Sequence, residues 1–230
     1  MKSQQSGFTL VEIAIVLVII GLLLGGILKG QELINSARVK NLANDFRTIP
    51  TYIYAFQDKF RALPGDDAQV STHITGSTLA TTPAGVQGNG VINGNWNSTT
   101  ATDETSLFWQ HVRLANLASG PTTITDMSDA DPYVPKNANS GRIGISSAQD
   151  AQIQIDNVTT NAANPMRGTY QICSKSILGK FVKQLDIQMD DGNTASGSMR
   201  AQPDNAALGS ASTPTANVDD ATNYTVCMTF

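Results

Sequence analysis

Hydrophobic residues follow three different patterns along this chain. From Phe8 to Leu28 the sequence FTLVEIAIVLVIIGLLLGGIL would be apolar on every side of a helix, 21 residues whose only charge is Glu12. At 1.5 Å per residue that helix spans about 31 Å, enough to cross the hydrocarbon core of a bilayer. Beyond Lys29 the period changes. Leu42, Phe46, Ile49, Ile53, Phe56 and Phe60 recur at alternating steps of four and three, which places them on one stripe of a helix. Arg38, Lys40, Asn44, Arg47, Asp58 and Lys59 take the remaining surface, so this half is amphipathic. Pro50 lies inside the stripe, and its missing N–H predicts a kink or interruption with helix on both sides. Pro64 and Gly65 mark a turn, so the helix should stop near Ala62.

The third pattern is short and broken. Residues 72–102 are rich in Gly, Thr and Asn and predict a long structured loop with Val86, Val91, Ile92 and Trp96 as its bulky anchors. Ser106 to Leu117, SLFWQHVRLANL, has the spacing of a short amphipathic helix capped by Asp103 or Thr105 and packed beside the head. Arg142 to Ser146 and Ala151 to Val158 read as paired strands, and Thr169 to Cys173 as a continuation of their sheet. Ser176 to Gln188 contains a short helix, and Tyr224 to Met228 reads as a final strand. The order of elements predicts an α+β fold: a long N-terminal helix packed on an antiparallel β-sheet head.

Composition narrows the class. The 230 residues carry a net charge of −4, which gives no general attraction to nucleic acid or anionic lipid. Charged residues are 15% of the chain, and Thr, Ser, Asn, Gly and Ala dominate after about residue 65, as in an exposed, loop-rich β domain. The two cysteines, Cys173 and Cys227, match no CxxC redox or zinc spacing. They read as one structural disulfide formed in an oxidising compartment; the competing reading is two separate buried thiols.

Glu12 decides what the apolar run is for. A carboxylate inside a spanning helix is disfavoured by roughly 3 kcal/mol, and a plain anchor has no use for it. An ordinary secretory signal has a shorter apolar core followed by a small-residue cleavage site, and this run has neither. The block Gly7-Phe8-Thr9-Leu10-Val11-Glu12, behind the leader MKSQQSG, resembles the cleavage and methylation motif of type IV prepilins and pseudopilins. The resemblance implies that a prepilin peptidase cuts after Gly7 and that Phe8 becomes the N-methylated mature terminus. It also implies that Glu12 pairs with the terminal amine of a neighbouring subunit during assembly. Phe60-Arg61-Ala62-Leu63-Pro64-Gly65-Asp66 is similar to the segment that follows the long helix in many pilin-like proteins.

On that resemblance the chain divides into a removed leader (1–7), a transmembrane and filament-core helix (8–28), an amphipathic helical half (29–62) and a globular head (63–230). Pilins of this family often carry a proline late in the apolar helix, where this chain has Gly21, Gly25, Gly26 and Gly30. The expected partners are like subunits in a helical filament, the prepilin peptidase, an inner-membrane assembly platform and the membrane itself. Before assembly the leader would be cytoplasmic and the head extracytoplasmic, the positive charge of Lys2 placing the leader inside. The expected role is structural and not enzymatic: a pilin, minor or specialised, with a type II secretion minor pseudopilin as the alternative. A different class is a membrane-anchored extracytoplasmic enzyme or ligand-binding domain.

Candidate chemistry elsewhere is sparse. Asp190, Asp191 and Asn193 surround a glycine turn that calcium accepts, and Asp and Asn equally favour such a turn without an ion. Asp66 and Asp67 are weaker candidates. No other cofactor is implied. His73 and His111 stand in no recognisable nucleophile motif. The run from Gly85 to Gly90 lacks the Lys-Ser or Lys-Thr of a P-loop. The Asn97, Asn157 and Asn223 sequons reflect the Asn and Thr content.

Overall fold

A computed structural model of the chain describes residues 7, 9–147, 153–154 and 166–230. They fall into two compact units, Met1–Arg38 and Val39–Phe230. Helix α1 (Leu10–Phe60) supplies residues to both. In the first unit its side chains from Leu10 to Leu28 are exposed, and α1 is long and apolar enough there to cross a membrane.

In the second unit the predicted stripe is the heart of the core. Val39, Leu42, Ala43, Phe46, Ile49, Ile53 and Phe56 are buried, while Phe60 packs at the edge. Pro50 does not interrupt α1: it is buried within a helix that continues on both sides. The helix ends at Phe60, two residues before the expected position, and Arg61 closes it in the left-handed region at φ 56°.

Two further helices precede the sheet, α2 (Val70–His73) and α3 (Glu104–Leu114). The expectation of a surface helix with one wet face is corrected for α3, where every residue from Glu104 to Arg113 is buried. Asp103 stands at its N-cap as predicted, but its side chain makes no capping bond. The polar residues can go inside because flanking loops wrap the helix and satisfy them. Gln110 accepts from Thr78 N–H at 2.8 Å and donates to Thr122 O at 3.0 Å. Arg113 donates to Pro121 O and Tyr133 O at 2.8 and 2.7 Å.

The remaining elements are β1 (Ile143–Ser147), β2 (Ile153–Gln154), β3 (Tyr170–Leu178), α4 (Gly179–Met189), β4 (Met199–Pro203), β5 (Ser210–Ala211) and β6 (Asn223–Thr229). The main sheet has the antiparallel order β1-β3-β6-β4. The expected pairing of the segments 142–146 and 151–158 is corrected for their described strands: β1 pairs with β3, and β2 pairs in parallel with β5; residues 151–152 and 155–158 lie outside the described residues. The last strand of the chain is interior to the sheet, because β4 pairs along its far side. Strand β4 carries a weak sequence signal, since Met-Arg-Ala-Gln-Pro alternates apolar and polar residues but has no β-branched residue and ends in proline.

Both edges of this sheet are covered by irregular chain. Along β1, Ser147 N–H donates to Ile92 O at 3.0 Å and Ile92 N–H to Ser147 Oγ at 2.8 Å. The cover passes so close at Gly144 that a Cβ there would strike the Trp96 carbonyl. Along β4, Ala201 donates to Thr194 O and accepts from Thr213 N–H, at 2.9 and 2.8 Å. At these positions both edges are capped among the described residues.

Cys173 and Cys227 form a disulfide between directly opposed positions of β3 and β6. Both are fully buried, and with Trp96 and Met166 they make a small second core that ties the loop to the sheet. Closing a loop of this span restricts the unfolded chain by about 4 kcal/mol. Replacing both cysteines by Ser should therefore lower the stability of the head by up to about 4 kcal/mol in denaturant unfolding. An unchanged midpoint would show that the bridge does not constrain the unfolded chain.

Candidate processing and assembly site

The first turn of α1 is closed by Thr9 and Glu12. Thr9 N–H and Thr9 Oγ–H both donate to Glu12 Oε2, at 2.8 and 2.7 Å, and Glu12 N–H reaches back to Thr9 Oγ1 at 3.3 Å. This is a reciprocal capping box, Thr at the N-cap and Glu three residues on. The carboxylate thereby satisfies donors that the helix start leaves free and favours the positive end of the helix dipole. Gly7 is exposed, with open space around its α-carbon. Phe8 lies outside the described residues. The T-x-x-E spacing was in the sequence, and it supplies the local reason for a charge at this point that hydropathy lacked.

At the far end of α1 the Pro64-Gly65-Asp66-Asp67 turn docks on α3. Gly65 has φ +92°, and a Cβ there would run into the Glu104 carbonyl. Its N–H donates to His111 Nδ1 at 2.9 Å, while His111 Nε2 stands 2.8 Å from Thr78 O. These partners require the neutral tautomer with its proton on Nε2, and burial holds this histidine below its ordinary pKa. Asp66 accepts from the N–H groups of Gly88, Asn89 and Gly90 at 2.6, 3.2 and 2.7 Å. It is therefore an anchor for the glycine-rich loop.

Asp67 pairs with His73 at 2.6 Å, and the imidazole stacks on Phe60 with ring centroids 5.5 Å apart. Both side chains line a cavity of about 540 Å³ together with Arg61, Gln57 and Tyr170. Among the described residues lining it there is no Ser, Thr or Cys for an Asp–His pair to activate.

In the turn after α4, Asp190 accepts from Met199 N–H at 2.7 Å, and Asp191 accepts from Asn193 N–H and Ser196 Oγ–H, each at 2.8 Å. Asn193 accepts from Ala195 N–H at 3.3 Å. All three side chains expected to surround a cation are engaged in closing the turn. Among the described residues no group of three or more His, Cys, Asp or Glu is arranged to hold a metal ion.

The family described as the prokaryotic N-terminal methylation motif matches residues 2–28, the span that contains Gly7, Phe8, Glu12 and the exposed apolar part of α1. Over that span the chain is similar to type IV pilin-like prepilins. No curated protein and no solved structure matches it at a significant level. The motif belongs to structural subunits and not to enzymes, and the membrane-length helix and the disulfide accord with it.

Two acids that shape the head carried no sequence signal. Asp131 accepts from four backbone N–H groups, those of Tyr133, Thr125, Asp126 and Met127 at 2.9 to 3.1 Å, and these bonds, led by that of Tyr133, hold its carboxyl at about 2. Glu104 is fully buried at the start of α3, accepting from Asn93 N–H at 2.7 Å. Burial first, and then the neighbouring Asp66 and Asp103, push its carboxyl up to about 7. Nothing distinguishes such acids from solvated ones until the fold closes over them.

The raised value of Glu104 makes a pH prediction. The folded head holds this proton more tightly than the unfolded chain, whose Glu titrates near 4.3. Stability from this group is complete below about pH 4 and is lost as pH rises through 7. Relative to wild type, Glu104→Gln should thus be more stable at pH 8 than at pH 5 by about 2 kcal/mol, measured by chemical unfolding at both values. Equal differences at the two pH values would contradict the assignment.

Proposed function

We propose that this chain is a structural subunit of a type IV pilus-like filament, a minor or specialised pilin. The observation that carries the reading is the contrast within α1. Of the large hydrophobic side chains exposed in the described residues, all but Tyr54, Leu79, Ile187 and Leu208 lie between Leu10 and Ile34. That surface needs lipid before assembly and other helices afterwards. Cleavage after Gly7 by a prepilin peptidase creates a new ammonium group at Phe8, four residues ahead of Glu12. N-methylation of Phe8 keeps that terminus basic.

Glu12 then has two states available. In the single chain it caps its own helix through Thr9; in the filament it accepts the terminal amine of a neighbour. The exchange replaces neutral donors with a charged one inside an apolar packing of helices, where a lone carboxylate is costly and a paired one selects register. The head, with both sheet edges covered, adds no strand-to-strand polymerisation of its own. Its long wrapped loops support a specialised subunit over an abundant one, and a minor pseudopilin of a type II secretion system would use the same N-terminal device.

Two measurements test this reading. Mass spectrometry of the mature protein should find N-methylated Phe8 at its terminus; an unprocessed Met1, or cleavage after Leu28, would overturn it. Glu12→Ala should leave membrane insertion intact and reduce incorporation into filaments at least tenfold, read by immunoblot of sheared filaments against membranes. Normal incorporation of this variant would remove Glu12 from assembly. Recovery of the chain from surface filaments or from a periplasmic pseudopilus separates the two systems.

A further inference from the structure

Asp45 on α1 is a half-buried acid without a partner among the described residues. It stands beside the buried stripe and makes no hydrogen bond or ion pair with any of them. It lines a groove of about 280 Å³ formed by Asn44, Thr48 and Tyr52 of α1, Trp109 and Arg113 of α3, and Lys136. Removing a carboxylate from water is unfavourable unless a counter-charge repays it, and here burial alone acts, pushing its carboxyl up to about 6.

The cations nearest in the groove do not meet the need. Arg113 is engaged by Pro121 O and Tyr133 O and stacks on the Tyr133 ring at 4.9 Å. Lys136 is exposed at the rim and makes no ion pair with any described residue. On α1, Lys40 and Arg47 are exposed and likewise make no ion pair with a described residue. The surface of α1 therefore carries an acidic groove on one side and basic side chains on the other, Lys40 and Arg47 lying about 140° and 160° round the helix from Asp45. Identical subunits repeated along a filament meet through two different patches, so a groove on one copy faces another part of the next.

We propose that the Asp45 groove is a docking site for a second copy of this chain, which places Lys40 or Arg47 in the groove to pair with the carboxylate. The inference rests on the filament reading and adds a contact within the head to the one at Glu12. Tyr52 lines the groove, and an aromatic ring favours a cation as it leaves water. Pairing supplies the missing counter-charge and fixes the stagger between adjacent helices, because only one axial offset brings the two side chains together.

The test uses the full chain in its native membrane. Its two cysteines are joined to each other, leaving no free thiol. Copies carrying Asp45→Cys should form an oxidant-induced dimer with copies carrying Lys40→Cys or Arg47→Cys, at least tenfold above a control with Asp58→Cys. Asp45→Lys should cut filament yield at least tenfold, and Lys40→Asp or Arg47→Asp in the same chain should restore it. Absence of a dimer from both pairs, or normal filaments from Asp45→Lys, overturns the docking site. Rescue by Lys136→Asp instead makes Lys136 an internal counter-ion and also overturns it. Failure of the wild-type chain to be processed at Gly7 and to form filaments would strike the filament reading itself, a distinguishable result.

Discussion

Burial of one stripe of α1, from Val39 to Phe56, is the contact on which the head depends. Large side chains of this kind each contribute about 1.5–3 kcal/mol when taken from water, and Leu42, Phe46, Ile53 and Phe56 are almost completely covered. The cover is supplied by α3 and by the faces of β1, β3 and β6, which join the same core through Phe108, Val112, Ile145, Ile172 and Val226. Because the stripe is continuous over five turns, Pro50 can sit within it: tertiary packing on that face offsets the lost backbone bond. The contrast with residues 10–28 is physical. The same helical period with no polar face has no head to pack on and must find its partners in lipid or in other helices.

Around that core much of the head is irregular chain, and irregular chain has backbone groups to satisfy. Carboxylates meet much of this demand. Asp66 gathers the loop at 88–90, Glu104 holds Asn93, Asp131 collects the turn at 125–133, and Asp190 receives Met199. A charged acceptor makes a stronger bond to N–H than a neutral one, so a few acids can pin long segments. The cost appears where neighbouring acids and burial combine, as at Glu104 and at Asp186, which burial and then Asp191 and Asp190 push up to about 7. The disulfide acts on the same loop from the other side, through the packing of Trp96 on Cys173 and Cys227.

These features divide labour between the two units. A sheet with capped edges and wrapped loops is closed to further strands, which keeps the head from aggregating through its β-structure. In the proposed filament, association would fall to α1, through its apolar length and through charged groups such as Asp45, Lys40 and Arg47. Apolar packing alone would be permissive about register. In the proposed filament, charges at Glu12 and Asp45 would make it selective, because misaligned copies would leave a carboxylate unpaired away from water.

What was legible in the sequence was whatever depends on local period and local chemistry. The apolar run, the anomaly of Glu12, the stripe from Leu42 to Phe56, the turn at Pro64-Gly65 and the α+β order each follow from neighbours a few residues apart. Even the Thr9–Glu12 capping box was available there. The tertiary structure decided the rest: that α3 is wholly internal, that β1 pairs with β3, that β4 exists and places β6 inside the sheet, and that Asp66 binds a loop. Each of these is a contact between distant segments, and its energy comes from burial and hydrogen bonds that no single segment contains. Met199 to Pro203 becomes a strand because β6 offers it a ladder, and Glu104 goes inside because Asn93 and the loop above it close over the site. Sequence period tells a residue which face it shares; only the fold determines what covers that face.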